Sequence, residues 1–169
     1  MVSKPAQNAP RRPSSRELSV MPTSMLALFA VPSIGRLTHL FPRWLAGKLG
    51  DEPGLTPPRV MLMWLLSRFK EPTMGEIAAA LDLTPRAITR LVDGLVEEGL
   101  VERIADKGDG RVTKIRLTPA GRSRFKTLEP RLRKHFVALF SGLEKSEVRE
   151  LIRLSEKLSD AIAADLSGE

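Results

Sequence analysis

The feature that most constrains this chain is a helix that stops and restarts within a few residues. Thr73 and Glu76 stand three apart as a capping box, and Met74, Ile77, Ala78 and Leu81 form an apolar stripe at helical spacing. After a turn at Asp82 and Leu83, Thr84 and Pro85 open another helix. Thr can cap free amides there, and Pro at the first helical position gives up no needed hydrogen bond. In that second helix Ile88, Leu91, Val92 and Leu95 share one face. Two short helices joined by a turn of about three or four residues make a helix-turn-helix.

Beyond Gly99 the period becomes alternating. LVERIA reads as a short strand, DKGDG as a turn and RVTKIRLT as a second strand, which predicts a hairpin. Thr113, Ile115 and Leu117 share one face, and Val112, Lys114 and Arg116 the other. One side then packs inward while the cationic side stays wet.

The flanks are helical. Thr56 and Pro57 start a helix to about Arg68 carrying VMLMWLL, apolar nearly all round and expected to lie centrally, with the Thr oxygen capping its amides. Thr118 and Pro119 start another through Phe125, Leu128, Leu132, Phe136 and Leu139, in which Pro130 is expected to cause a kink. A last helix from about Glu144 to Asp165 places Val148, Leu151, Ile152, Leu158 and Ile162 on one stripe. From Leu18 to Lys48, the prolines at 22, 32 and 42 predict two or three short helices with breaks beside them. There Leu37, Leu40, Phe41, Leu45 and Leu49 should face a partner helix. Residues 1–16 read as a disordered basic tail carrying Lys4, Arg11, Arg12 and Arg16; a solvated terminus is its plainer role and phosphate contact the sharper one. The expected organisation is this tail, an N-terminal helical segment over 17–53, a reading head over 54–120 and C-terminal helices over 121–169. A single copy of the terminal helices would leave apolar surface exposed, which points to self-association.

Charge and residue usage narrow the function. Lys and Arg total 27 against 20 Asp and Glu, a net charge of +7, so an anionic partner comes first. With no Cys, disulfides, thiolate metal sites and thiol switches are excluded, which fits a cytoplasmic protein. Basic residues ahead of the apolar run Met25–Val31 resemble a secretory signal, but Pro32 follows directly and no small-x-small cleavage pattern comes after it. No apolar run approaches the roughly 20 residues of a bilayer span, so no membrane partner is expected. His39 and His135 are too few and too isolated for a metal cluster, and neither a phosphate-cradling loop nor a nucleophile elbow is present. The expectation is no metal, no cofactor and no enzymatic activity.

In the helix opened by Pro85, the face opposite the apolar stripe bears Arg86, Thr89, Arg90 and Asp93. A helix fits the major groove, and its N-terminal part meets base edges. Arg86 and Arg90 are candidates for guanine or phosphate contact, with Pro85, Ala87 and Thr89 near enough for methyl or hydroxyl contacts. Solubilising chemistry is the plain alternative. The hairpin adds Lys107, Arg111 and Lys114 as DNA-contact candidates, with Arg116 nearby and Asp109 the only acid between Lys107 and Lys126. A loop carrying Arg can enter the minor groove. Asp109, two residues before Arg111, is expected to hold its guanidinium, though a plain surface ion pair is the lesser reading. RNA is disfavoured because the hairpin offers no aromatic for base stacking.

The segment resembles the multiple-antibiotic-resistance regulator (MarR) family. The resemblance rests on GLT at 54–56, on MGEIAAALDLTPRAITRLVDGLVEEGLVER, on Asp109-x-Arg111 and on LTPAGR at 117–122. It implies a mainly α fold: a winged helix-turn-helix with a two-stranded β wing, flanked by N- and C-terminal dimerisation helices. It further implies an obligate homodimer on pseudo-palindromic double-stranded operators. Such proteins are usually repressors, many released by a small phenolic or lipophilic effector bound between the dimerisation and DNA-binding parts. By the same resemblance Arg86, Thr89 and Arg90 read the major groove, and Arg111, oriented by Asp109, enters the minor groove. Two departures stand out: Gly110 replaces the usual second basic residue of the wing tip, and Gly94 sits inside the recognition helix, for close packing. Arg36, His39, Trp44 and Trp64 lie in segments where an effector would bind, although core or surface roles are the plainer reading. The function expected is a sequence-specific repressor released by a small molecule, the alternative being a ligand-independent architectural or protein-docking module.

Overall fold

A computed structural model describes residues 13–50, 52–106 and 108–168. The elements in order are α1 (Ser15–Ser19), α2 (Thr23–Leu49), α3 (Pro57–Arg68), α4 (Met74–Leu81), α5 (Pro85–Glu97), β1 (Val101–Ala105), β2 (Thr113–Leu117), α6 (Pro119–Leu139) and α7 (Lys145–Ser167). Compact units divide between Gly47 and Lys48.

In the N-terminal unit, most of the expected basic tail lies outside the described residues, but Ser15 and Arg16 are helical and not disordered. The cause is a capping box: the Glu17 carboxylate accepts from the Ser14 amide at 2.6 Å, and the Glu17 amide donates to Ser14 Oγ at 3.3 Å. The expected breaks beside Pro32 and Pro42 do not occur, because α2 runs through both. Each proline removes only one link of the backbone ladder, and the links on either side carry the helix across. The hydroxyls of Ser33 and Thr38 also turn inward, donating to the carbonyls of Phe29 and Gly35.

Continuity changes what α2 is. It has 27 residues, with an apolar stretch of mean hydropathy 1.3 that is itself nowhere buried, and by length and composition is enough to cross a membrane. This corrects the expectation that no apolar stretch approaches that length. Leu45 and Leu49 are buried as expected, whereas Leu37, Leu40 and Phe41 are exposed.

The second unit is built around α3. Val60, Leu62, Met63, Leu65 and Leu66 are buried, while Trp64 is 41% exposed and breaks the all-round apolar pattern. Thr56 precedes α3 without a side-chain cap. Pro57 and Pro58 have no amide protons, which removes two of the donors at this helix start, and the Arg59 amide, the equivalent of those that Thr84 and Thr118 cap, forms no such bond here. Ile77 of α4, Ile88, Val92 and Leu95 of α5 and Ile115 of β2 are all 0% exposed. Each such side chain contributes about 1.5–3 kcal/mol on burial.

β1 and β2 pair antiparallel from Val101↔Leu117 to Ala105↔Thr113. Alternation puts Ile115 and Leu117 inward as expected, although Thr113 on the same face is exposed at the open end. The hairpin is tied to the chain ahead of α4, since the Ile115 amide donates to the Pro72 carbonyl at 2.9 Å. At its base Thr118 Oγ1 donates to the Gly99 carbonyl at 2.6 Å and accepts from the Gly121 amide at 3.0 Å, while the Thr118 amide donates to the Leu100 carbonyl at 3.1 Å. α6 continues unbroken past Pro130. No residue of α7 is buried, so the stripe of Leu151, Ile152, Leu158 and Ile162 faces outward uncovered.

Candidate nucleic-acid interface

The turn between α4 and α5 is set by Asp82, in left-handed conformation at φ 48°, whose amide donates back to the carbonyls of Ala78 and Ala79. α5 then starts where Thr84 Oγ1 accepts the Ala87 amide at 3.3 Å. Burial of Ile88, Val92 and Leu95 fixes the rotation of α5. Pro85, Arg86, Thr89 and Arg90 are consequently exposed on the opposite side, and Ala87 is half-buried. The Thr89 hydroxyl donates to the Pro85 carbonyl at 2.8 Å, so its hydrogen is used within the helix and its oxygen can only accept from outside. Among the described residues, neither Arg86 nor Arg90 forms an ion pair. Asp93 does: it meets Arg103 at 2.5 Å and joins α5 to β1.

The wing turn is organised by Asp106, a residue the sequence reading passed over. Its carboxylate accepts from the amides of Gly108 at 2.8 Å and Asp109 at 3.0 Å and pairs with the Lys114 ammonium. The Lys114 hydrogen bond foremost, then the two amides, hold the Asp106 carboxyl down to about 2. An Asp placed just before a Gly-x-Gly turn is the local signal that could have found it.

Three expectations for the wing change. Asp109 does not hold the Arg111 guanidinium: its Oδ1 accepts the Arg111 backbone amide at 3.0 Å, and its carbonyl accepts the Val112 amide at 2.9 Å. A short carboxylate reaches the amide two residues on more readily than the end of a long, mobile side chain. Lys114 is not a free cation, because Asp106 engages it and Glu71 and Glu76 lie near enough to help raise its pKa. Arg116 is likewise taken up by Glu102 at 2.8 Å and Glu71 at 3.2 Å, so the outer face of β2 is largely neutralised. Arg111 remains exposed and, among the described residues, without an ion pair. Lys107 lies outside the described residues.

Gly94 behaves as expected of a close-packing position, since a Cβ there would lie 2.5 Å from Arg59 Nη2. The four effector candidates lie on α2 and on α3. Arg36 and His39 are exposed on α2, Trp44 stacks on Phe41 at 5.8 Å between centroids, and Trp64 is exposed on α3. A cavity of about 360 Å³ at the wing base is lined by Leu66, Phe69, Arg116, Arg122 and Phe125 among others, and takes none of the four.

Chemically, α5 presents two unpaired guanidinium groups one helical turn apart on a helix whose other face is locked in the core. Such a fork matches guanine edges and phosphates alike. The MarR family model matches residues 54–112, which span α3 to the wing tip. The HTH-type transcriptional repressor IacR of Pseudomonas putida is 31% identical over 102 residues, 60% of this chain and 61% of that repressor, so this chain spans less than two thirds of it. The HTH-type transcriptional repressor Rv2887 of Mycobacterium tuberculosis is 30% identical over 105 residues, 62% of this chain and 76% of that protein. Among solved structures, the transcriptional regulator BldR from Sulfolobus solfataricus matches with a TM-score of 0.72 at 26% identity, covering 83% of this chain and 99% of that one.

Proposed function

The chain belongs to the MarR family of non-enzymatic, winged helix-turn-helix DNA-binding transcription regulators, and on that premise we propose that it acts as a homodimeric, sequence-specific repressor. The observation that carries this reading is the division of labour among its cations. Arg103, Lys114 and Arg116 are consumed by acids inside the head, while Arg86 and Arg90 on α5 and Arg111 on the wing are left to an external anion.

In this reading the N-terminal half of α5 enters the major groove. Arg86 and Arg90 donate to bases or phosphates, and Pro85, Ala87 and the Thr89 methyl supply apolar contact. Arg111 reaches the minor groove from a turn that Asp106 and Asp109 shape; Lys114 serves through Asp106, and Lys107 adds a further positive charge. The head over 54–120 does the reading. The segments over 17–53 and 121–169 join two copies, supported by the exposed apolar side chains of α2 and, separately, of α7. A DNA target fits a cytoplasmic protein. Release by a small aromatic or lipophilic effector completes the proposal and is supported by the family resemblance.

Selection of bound fragments from genomic DNA tests the whole reading. Enrichment of sites with two half-sites about one helical turn apart is the expected result. Equal retention of all fragments overturns sequence-specific repression and favours an architectural role. Titrating small aromatic acids and lipophilic compounds into the selected complex then tests release.

A further inference from the structure

Away from the exposed face of α5, two glycines, Gly94 on α5 and Gly54 in the turn ahead of α3, leave room for one ion pair. Arg59, in the first turn of α3, donates from Nη1 to Glu98 Oε1 at 2.5 Å and to the Gly54 carbonyl at 2.6 Å. Its side chain is only 18% exposed. A Cβ on Gly94 of α5 would lie 2.5 Å from Arg59 Nη2, and one on Gly54 would lie 3.0 Å from Glu98 Oε2 and 3.2 Å from Arg59 Nη1. Gly54 also sits at φ +73°, where any side chain is strained. The guanidinium thus lies on the bare backbone of α5, and α5's C-cap residue Glu98 closes over it.

We propose that Arg59 is a positioning residue for DNA reading: seated between Gly54, Gly94 and Glu98, it fixes the tilt of α5 and thereby sets discrimination between operator and other DNA. This rests on the reading of α5 as the recognition helix. Gly94 is eight residues from Arg86, about 12 Å along the axis at the usual helical rise. A tilt of about 5° at that seat moves the base-facing groups by about 1 Å. Hydrogen bonds to base edges are directional and fail over such a shift, whereas attraction to phosphates falls off slowly. Loosening the seat therefore costs discrimination before it costs general affinity.

The test compares affinity for a site selected from genomic DNA with affinity for random-sequence DNA at one salt concentration. Arg59→Ala and Gly94→Ala are each expected to lower the ratio about tenfold, with random-DNA affinity within about twofold of the parent. Arg59→Lys, whose ammonium can reach the same two acceptors, keeps most of the ratio. Gly94→Ala also gains helix propensity, so a lowered ratio with an undiminished melting temperature marks a positioning role and not simple unfolding. An unchanged ratio in both alanine variants, or equal losses on both DNAs, overturns the proposal. If the parent selects no site, the DNA-reading assignment itself falls and takes this one with it; a parent that discriminates while both variants match it sinks only the role of Arg59.

Discussion

Gly121, in the first turn of α6, lies against Leu100 so closely that a Cβ there would stand 1.9 Å from the Leu100 carbonyl oxygen. That oxygen already accepts the Thr118 amide, and the contact is to backbone, which cannot rotate aside as a side-chain end can. Gly121→Ala should therefore destabilise the head by at least about 2 kcal/mol, through overpacking against a fixed peptide. Denaturant melts read this directly, and an unshifted midpoint would disprove the fit.

Arg90→Ala should erase much of the preference for a selected operator, with Arg86→Ala doing the same to a degree set by whether it meets a base or a phosphate. Base contacts alter the ratio of specific to random binding; phosphate contacts lower both alike and reduce the slope of log affinity against log salt by about 1. Titrations at several salt concentrations separate the two roles.

For Arg111→Ala the expected loss is about 1–3 kcal/mol of operator binding, with the assembly state unchanged. Wild-type affinity in a gel-shift titration would remove the wing from the minor groove.

The Asp106 carboxyl titrates at about 2 in place of its ordinary 3.8, so its share of wing stability is present above pH 3.8 and is lost as pH falls through about 2. Lys114, with its pKa raised, acts oppositely: its share is complete below 10.5 and disappears as pH climbs through the elevated value. Between these limits the pair holds the turn. NMR titration of the Asp106 carboxyl should show no midpoint near 4, and Asp106→Asn should loosen the amides of Gly108 and Asp109 at neutral pH by hydrogen exchange.

Leu158 and Ile162 are 42% and 51% exposed on α7. If a second copy covers them, Leu158→Glu yields monomers at micromolar concentration by light scattering, because a buried carboxylate is too costly for an interface to retain. A dimer that survives the substitution places the joining surface elsewhere.

The helix-turn-helix and the hairpin were legible in the chain because their signals are local. Caps at Thr73, Thr84 and Thr118, the helical period of Ile88, Val92 and Leu95, and the alternation around Ile115 all act within a few residues and agree with one another. What escaped reading was either a competition or a distant contact. Pro32 and Pro42 looked like helix ends, but each costs the ladder only one link and α2 runs through both. Asp109 had two acceptable partners in the same residue, and the amide won because it is nearer and already ordered. Glu102 and Glu71 claim Arg116 from another strand and another loop, and Glu98 meets Arg59 from 39 residues away. No pattern of spacing reveals such pairings.

The hydrogen bonds at Thr118 close the base of the wing. Gly99 and Thr118 are 19 residues apart in the chain but joined by one bond in space, so everything between them is an excursion that leaves and returns at the same point. Surface excursions whose ends are pinned accept changes of length at small entropic cost. The stretch from Asp106 to Val112 can therefore be lengthened, trimmed or exchanged for another tip while α5 and α6 keep their places. Related regulators could diverge in what they grip on one side of the DNA without rebuilding the part that reads the other.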